Sequence, residues 1–219
     1  MTDTTNDDTG AATPENAPRK TANSEVKHYE NMVRLEAEQG AKVKDASTSR
    51  GIVLVHTGDG KGKSTAGFGV AIRAAGHGQR VGVVQFIKGT WKTGEQAALK
   101  RFEQITHVIS GDGFTWKTKN RANDIASAEH GLAVAAEMLK GGEYHVVILD
   151  EINVAMSYEY LDPDQVLEAI AARPSKTSVV LTGRNAPQSV IEAADTVTLH
   201  VPVKHAFKSG IKARIGVEF

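Results

Sequence analysis

The residues best suited to chemistry lie in one short run, Thr57-Gly58-Asp59-Gly60-Lys61-Gly62-Lys63-Ser64-Thr65, which follows an apolar stretch and precedes a helical pattern. Glycines let successive backbone N–H groups converge on phosphate oxygens, and the helix that follows adds roughly half a positive charge at its start. Lys63 would bring a mobile positive charge, and the Ser64 hydroxyl could ligate Mg²⁺. A second group, Val146-Val147-Ile148-Leu149-Asp150-Glu151, is an apolar strand ending in two acids, the Walker B pattern of nucleotide-binding proteins. Acids also follow strands as simple turn residues. The company of Lys63 and Ser64 is what favours a metal role for Asp150 and Glu151.

The phosphate loop departs from the common G-x-x-x-x-G-K-[ST] spacing. Counting back from Gly62, the first glycine position is held by Thr57, and Gly58 comes one residue late. The loop also holds Asp59, which phosphate would repel unless the carboxylate points outward or bonds ribose or base. Nucleotide is therefore expected to sit differently here than in an ordinary ATPase.

Positioning these groups requires buried strands that alternate with helices. Short apolar runs predict strands at Ile52–His56, Val81–Phe86, His107–Ile109, Val146–Leu149, Val179–Leu181 and Val197–Val201, each too uniformly apolar for a sheet with one wet face. Helices are expected at Ser64–Ala75, Glu95–Phe102, Arg121–Leu139, Pro163–Ala172 and Pro187–Ala194, the fourth opened by Asp162 as cap and Pro163 at its first position. The alternation predicts an α/β fold: a doubly wound, mainly parallel sheet with helices on both faces and its ligand site beyond the strands' carboxyl ends. Ahead of this domain, residues 1–23 are too poor in large apolar side chains to offset the entropy of ordering. From Ser24 to Asp45, Val26, Tyr29, Val33, Ala37 and Ala41 recur at helical spacing and predict one moderately amphipathic helix. The organisation expected is a disordered lead-in (1–23), an N-terminal helix (24–48) and one catalytic domain (49–219).

Composition narrows the function classes. Lys plus Arg equals Asp plus Glu at 26 each, so no global field recruits nucleic acid or an anionic membrane, and any anion must be met locally. The chain has no cysteine, which excludes disulfides, thiolate metal sites and a cysteine nucleophile. Asp3, Asp7, Asp8 and Glu15 stand where a secretory signal would need a basic and then an apolar stretch, and no apolar run approaches membrane-spanning length. A cytoplasmic protein is expected.

Three further segments do not belong to a generic ATPase. Val84–Gly89 ends a strand in a polar and basic turn; Gly111–Trp116 places Phe114 and Trp116 in a glycine-rich loop; Pro202–Arg214 is basic in an otherwise balanced chain. Taken singly, such aromatics more often cover a small cluster and such a tail is more often merely solvated. Together, HTGDGKGKSTA, VVQFIKG, DGFTW, VVILDE, LTGRN and PVKHAFKSGIKARIG, in this order and spacing, resemble the P-loop cob(I)alamin (corrinoid) adenosyltransferase family, whose phosphate loop shares the shortened glycine spacing. The resemblance runs from about residue 24 to the end.

The resemblance implies transfer of the 5′-deoxyadenosyl group of ATP to Co(I) of a corrinoid, with release of tripolyphosphate. By similarity, Gly58, Asp59, Gly60, Lys61, Gly62, Lys63, Ser64 and Thr65 form the nucleotide site, Lys63 neutralises phosphate, and Ser64 with Glu151, assisted by Asp150, holds Mg²⁺. Phe114 and Trp116 match the aromatic pair that displaces the corrinoid's lower axial ligand, and Arg184 is a candidate phosphate or corrinoid contact. A homodimer, a flavin-dependent reductant and an N-terminal helix near an active site are implied in the same way. The alternatives are a small-molecule kinase or ATPase and a binding module without chemistry. An arginine lid would favour the kinase, but Ile152–Arg173 contains only Arg173.

Overall fold

The computed structural model describes residues 22–87, 93–110 and 120–218. They form two units, one up to Thr48 and one from Ser49 onward. The first consists of α1 (Ala22–Asp45), in agreement with the expected helix. Val26, Tyr29, Met32 and Val33 form an apolar stripe at helical spacing, and all are exposed. Lys42 and Lys44 in its last turn oppose the negative end of the helix dipole.

The second unit is built on six parallel strands, β1 (Val53–Thr57), β2 (Val81–Gln85), β3 (Ile105–Ile109), β4 (Val146–Asp150), β5 (Ser178–Thr182) and β6 (Thr196–Leu199), in the order β3-β2-β4-β5-β1-β6. Between them run α2 (Lys63–Gly76), α3 (Gly94–Leu99), α4 (Arg121–Lys140), α5 (Ile152–Ser157), α6 (Pro163–Ala171) and α7 (Gln188–Ala193). Two cores confirm the doubly wound reading. Phe68 and Ala71 of α2 and Leu99 of α3 pack with Val83, Ile148 and Val180 on one face; Leu139, Ile152, Val166 and Val190 pack with Val55, Val147, Leu149 and Leu181 on the other. Each of these side chains apart from Ala71 contributes about 1.5–3 kcal/mol through burial. Asp162 caps α6 as expected, its carboxylate accepting from Asp164 N at 2.9 Å.

Two expectations need correction. β6 was expected to be buried, but all four of its residues are exposed, because it pairs with β1 alone and stands at the sheet edge, with Thr alternating with Val and Leu. β3 begins at Ile105, two residues before the expected His107, because it pairs with β2 from Val81 onward. The short α5 was not anticipated. Among the described residues, no helix is long and apolar enough to cross a membrane.

Candidate active site

Gln85, Asp150, Thr182 and Thr57 end β2, β4, β5 and β1, so the sheet delivers four polar residues to one edge, where the phosphate loop leaves β1. The loop is pressed against the chain that follows β6. Gly60 N donates to His200 O at 2.8 Å, and His200 N donates to Thr57 O at 2.8 Å. Gly58 has φ +96°, and a Cβ there would lie 2.5 Å from His200 O, so both backbone conformation and space demand glycine. Gly62, at φ +102°, opens α2 without a side-chain cap, leaving the helix N-terminus facing the loop.

Lys63 is 7% exposed, and its ammonium donates to Gly60 O at 2.6 Å. Burial pushes its pKa down, Glu151 and Asp59 oppose that, and Arg184 and Lys61 reinforce it. Lys63, Ser64, Thr65, Glu151 and Arg184 line one cleft of ≈ 190 Å³. Glu95 of α3 and Glu218 also border it, and sequence reasoning named neither. Two of the site's cations already face carboxylates: Arg184 Nε lies 3.5 Å from Asp59 Oδ1, and Lys61 pairs with Glu218. Asp59 therefore points toward a cation, which answers the repulsion expected from its place in the loop.

The two acids after β4 differ in position. Asp150 is fully buried; its Oδ1 accepts from Thr182 Oγ1 at 2.7 Å and its Oδ2 from Gln85 Nε2 at 2.8 Å. Glu151 turns out of the strand at φ 63°, a left-handed conformation costly for a side chain other than glycine, and its N–H donates to Thr182 Oγ1 at 3.0 Å. That turn brings Glu151 to the cleft shared with Ser64. Hydroxyl and carboxylate oxygens are the hard donors that Mg²⁺ selects, so Ser64 and Glu151 at the cleft fit such an ion chemically, while Asp150 lies buried. Among the described residues, no group of three or more His, Asp or Glu is placed to hold a metal ion.

The structure brings Lys61, Lys63, Ser64, Thr65, Glu151 and Arg184 to one cleft. The basic segment Pro202–Arg214 is placed otherwise: Lys204 and His205 border a neighbouring hollow of ≈ 370 Å³ that shares Lys61, while the tail offers the phosphate cleft an acid, Glu218. Phe114 and Trp116 lie outside the described residues, as do Lys88 and Gly89. Gln85 and Thr182 lie in the marked segments VVQFIKG and LTGRN but were given no role of their own, and Asn153 was missed. Asn153 is fully buried and ties Gly183 O, just before Arg184, to α5 at 3.2 Å.

Comparison with known proteins gives the chain's relatives. The family model described as ATP:corrinoid adenosyltransferase BtuR/CobO/CobP matches residues 49–219. A corrinoid adenosyltransferase of Pseudomonas aeruginosa is 52% identical over 194 residues, spanning 88% of this chain and 96% of its own length. Another, from Escherichia coli, is 42% identical over 196 residues, spanning 90% and 100%. Among solved structures, the flagellar accessory protein FlaH of Methanocaldococcus jannaschii aligns at TM-score 0.46 with 13% identity, over 69% of this chain and 71% of that one.

Proposed function

The chain belongs to the ATP:corrinoid adenosyltransferase family and is an enzyme that moves the adenosyl group of ATP to a corrinoid; we propose that the cleft between the phosphate loop and Glu151 is where it does so. Co(I) of the corrinoid substrate is the nucleophile. Its electron pair forms the cobalt–carbon bond at C5′ while the C5′–O bond breaks and its electrons leave with tripolyphosphate. No protein nucleophile is required, and the chain's own work is to position the substrates and stabilise the charge gathering on the leaving group.

In this reading the N–H groups from Gly58 to Ser64, apart from that of Gly60, which donates to His200 O, cradle the phosphates, and the buried Lys63 faces the developing negative charge. Lys61 and Arg184 exchange Glu218 and Asp59 for phosphate oxygens as the nucleotide enters. Ser64 and Glu151 would hold Mg²⁺, which when bound supplies further neutralisation of the triphosphate. Phe114 and Trp116 would act on the corrinoid face by displacing its lower axial ligand, so that Co(II) becomes easier to reduce. A flavin-dependent reductant as electron donor, a homodimer and a cytoplasmic location complete the proposal.

The observation that carries the assignment is the convergence of Lys63, Ser64, Glu151 and Arg184 on one small cleft at the strands' carboxyl ends. The test is anaerobic incubation of the purified protein with Mg-ATP and chemically reduced cobalamin, followed by visible spectroscopy and analysis of the phosphorus products. Adenosylcobalamin with tripolyphosphate is expected. ADP and orthophosphate with an unchanged corrinoid would support the kinase or ATPase alternative instead.

A further inference from the structure

Behind the acids after β4, a chain of buried and half-buried hydrogen bonds crosses four strands. His107 Nε2 lies 2.8 Å from Gln85 Oε1, Gln85 Nε2 lies 2.8 Å from Asp150 Oδ2, Thr182 Oγ1 lies 2.7 Å from Asp150 Oδ1, and Glu151 N lies 3.0 Å from Thr182 Oγ1. His107 is on β3, Gln85 on β2, Asp150 on β4 and Thr182 on β5, consecutive strands of the sheet. Gln85, Asp150 and Thr182 are each no more than 1% exposed, so water does not substitute for a lost partner there.

The direction of every bond follows from the carboxylate. An ionised carboxylate only accepts, so Thr182 must turn its hydroxyl hydrogen to Oδ1 and present its oxygen to the Glu151 N–H. For the same reason Gln85 must turn its amide nitrogen to Oδ2, which leaves its amide oxygen facing His107. That oxygen only accepts, so His107 must carry its hydrogen on Nε2. Reversal at any one place sets two donors or two acceptors against each other. Burial lowers the His107 pKa, with Asp150 raising it and Lys100 lowering it, so the neutral Nε2–H form is the one this bond uses at pH 7.

We infer that His107 is a positioning residue: acting through Gln85, it holds the Asp150 carboxylate and, through Thr182, the left-handed turn that aims Glu151 into the cleft. This rests on the reading of Glu151 and Ser64 as the groups facing Mg²⁺. Partners that orient metal-binding groups commonly change metal affinity about 10- to 100-fold when removed. Gln85 touches Asp150 directly and should fall at the lower end of that range; His107, one bond farther out, should give about a threefold effect.

The test is calorimetric titration of the full-length chain with ATP at a series of Mg²⁺ concentrations, for wild type, His107→Leu, His107→Gln and Gln85→Leu, each first checked by circular dichroism for an unchanged fold. His107→Leu should raise the Mg²⁺ concentration at half-effect about threefold and Gln85→Leu about tenfold. In His107→Gln an amide N–H can replace the imidazole N–H, and this variant should return to within about twofold of wild type. Nitrogen-15 NMR of the wild type should show His107 as the Nε2–H tautomer, with a slowly exchanging ring hydrogen. An Nδ1–H tautomer, a His107→Leu midpoint equal to wild type, or a His107→Gln midpoint no better than His107→Leu would each overturn the positioning role. ATP binding that ignores Mg²⁺ in the wild type would overturn instead the reading of Ser64 and Glu151 on which it rests.

Discussion

Replacing Gly58 by alanine should damage the enzyme far more than replacing two other glycines of equally left-handed backbone, and the reason is one contact. Gly58, Gly62 and Gly78 have φ of +96°, +102° and +71°. Alanine at such angles costs about 1–2 kcal/mol through the clash of its Cβ with the backbone. At Gly78 a Cβ meets nothing within 4 Å, and at Gly62 its nearest neighbour is His200 Nδ1 at 3.5 Å, an ordinary contact. At Gly58 it would lie 2.5 Å from His200 O, the same oxygen that accepts from Gly60 N. Relieving that overlap means moving the chain after β6, with overpacking of about 1–3 kcal/mol and about 1 kcal/mol for the bond. Gly58→Ala should therefore lose about 3–6 kcal/mol, and Gly62→Ala and Gly78→Ala about 1–2 each. Urea unfolding of the three variants, with ATP binding by calorimetry, reads both effects. Gly78→Ala should bind ATP normally, while Gly62→Ala should be equally stable but bind more weakly, because the relaxing loop turns its N–H groups away from phosphate. A Gly58→Ala protein no less stable than Gly78→Ala would refute the argument that the strand-end chain at His200 shapes the loop.

Lys63→Ala should weaken ATP binding and slow turnover by about 10- to 100-fold, the value of one charged hydrogen bond, and do so equally with Co(I) supplied directly or generated from Co(II). Unchanged rates in a stopped-flow assay would remove Lys63 from leaving-group stabilisation. Glu218→Gln frees Lys61 for phosphate, so tripolyphosphate should bind more tightly, by roughly two- to fivefold for so exposed a lysine; an unaltered or weaker inhibition constant for tripolyphosphate would count against the exchange of partners. Asp195 accepts from Arg50 and from Val53 N at 2.9 Å, which hold its pKa down at about 2 from an ordinary 3.8. A depressed carboxylate stabilises the fold above its unfolded pKa and loses that contribution as pH falls through the folded value. Asp195→Asn should thus cost roughly 1 kcal/mol at pH 7, solvent screening of this partly exposed pair included, with the difference fading between pH 4 and 2. Melting curves across that range that stay parallel would contradict it.

Much of the fold was legible because its signals are local. Uniformly apolar runs mark β2, β4 and β5, whose residues from Val179 onward and throughout β2 and β4 are buried, and the Gly-Lys-Ser run marks the start of α2. β6 misled because Val197, Leu199 and Val201 have strand composition whether a strand is central or at the edge, and position in the sheet is a long-range property. α5 escaped notice because it has six residues and begins directly from the left-handed Glu151, with no capping side chain to announce it. The site divides in the same way. Lys63, Ser64 and Glu151 stand in contiguous motifs, whereas the tie of His107 to Gln85 spans 22 residues, that of Gln85 to Asp150 spans 65 and that of Asp150 to Thr182 spans 32. Only strand order brings those side chains together.

That strand order also fixes where coupling between the two motifs must pass. β5 separates β1, which leads into the phosphate loop, from β4, which carries the acids, so no side chain of β1 reaches Asp150 across a shared ladder. The last residue of β5 is Thr182, and its two ends serve the two motifs. Its hydroxyl bonds Asp150 and the Glu151 N–H, and its methyl faces α2 at Gly67, where an added Cβ would come within 3.1 Å. Valine at 182 would keep the methyl contact with α2 and lose both hydrogen bonds, leaving the Glu151 N–H and Asp150 Oδ1 without that partner. Alanine at 67 would keep the bonds and press on the methyl. If the metal side and the phosphate side of the cleft are joined through this residue, Thr182→Val should raise the Mg²⁺ requirement with little change in affinity for metal-free nucleotide, while Gly67→Ala should alter both, because displacement of α2 moves Lys63 and Ser64 together.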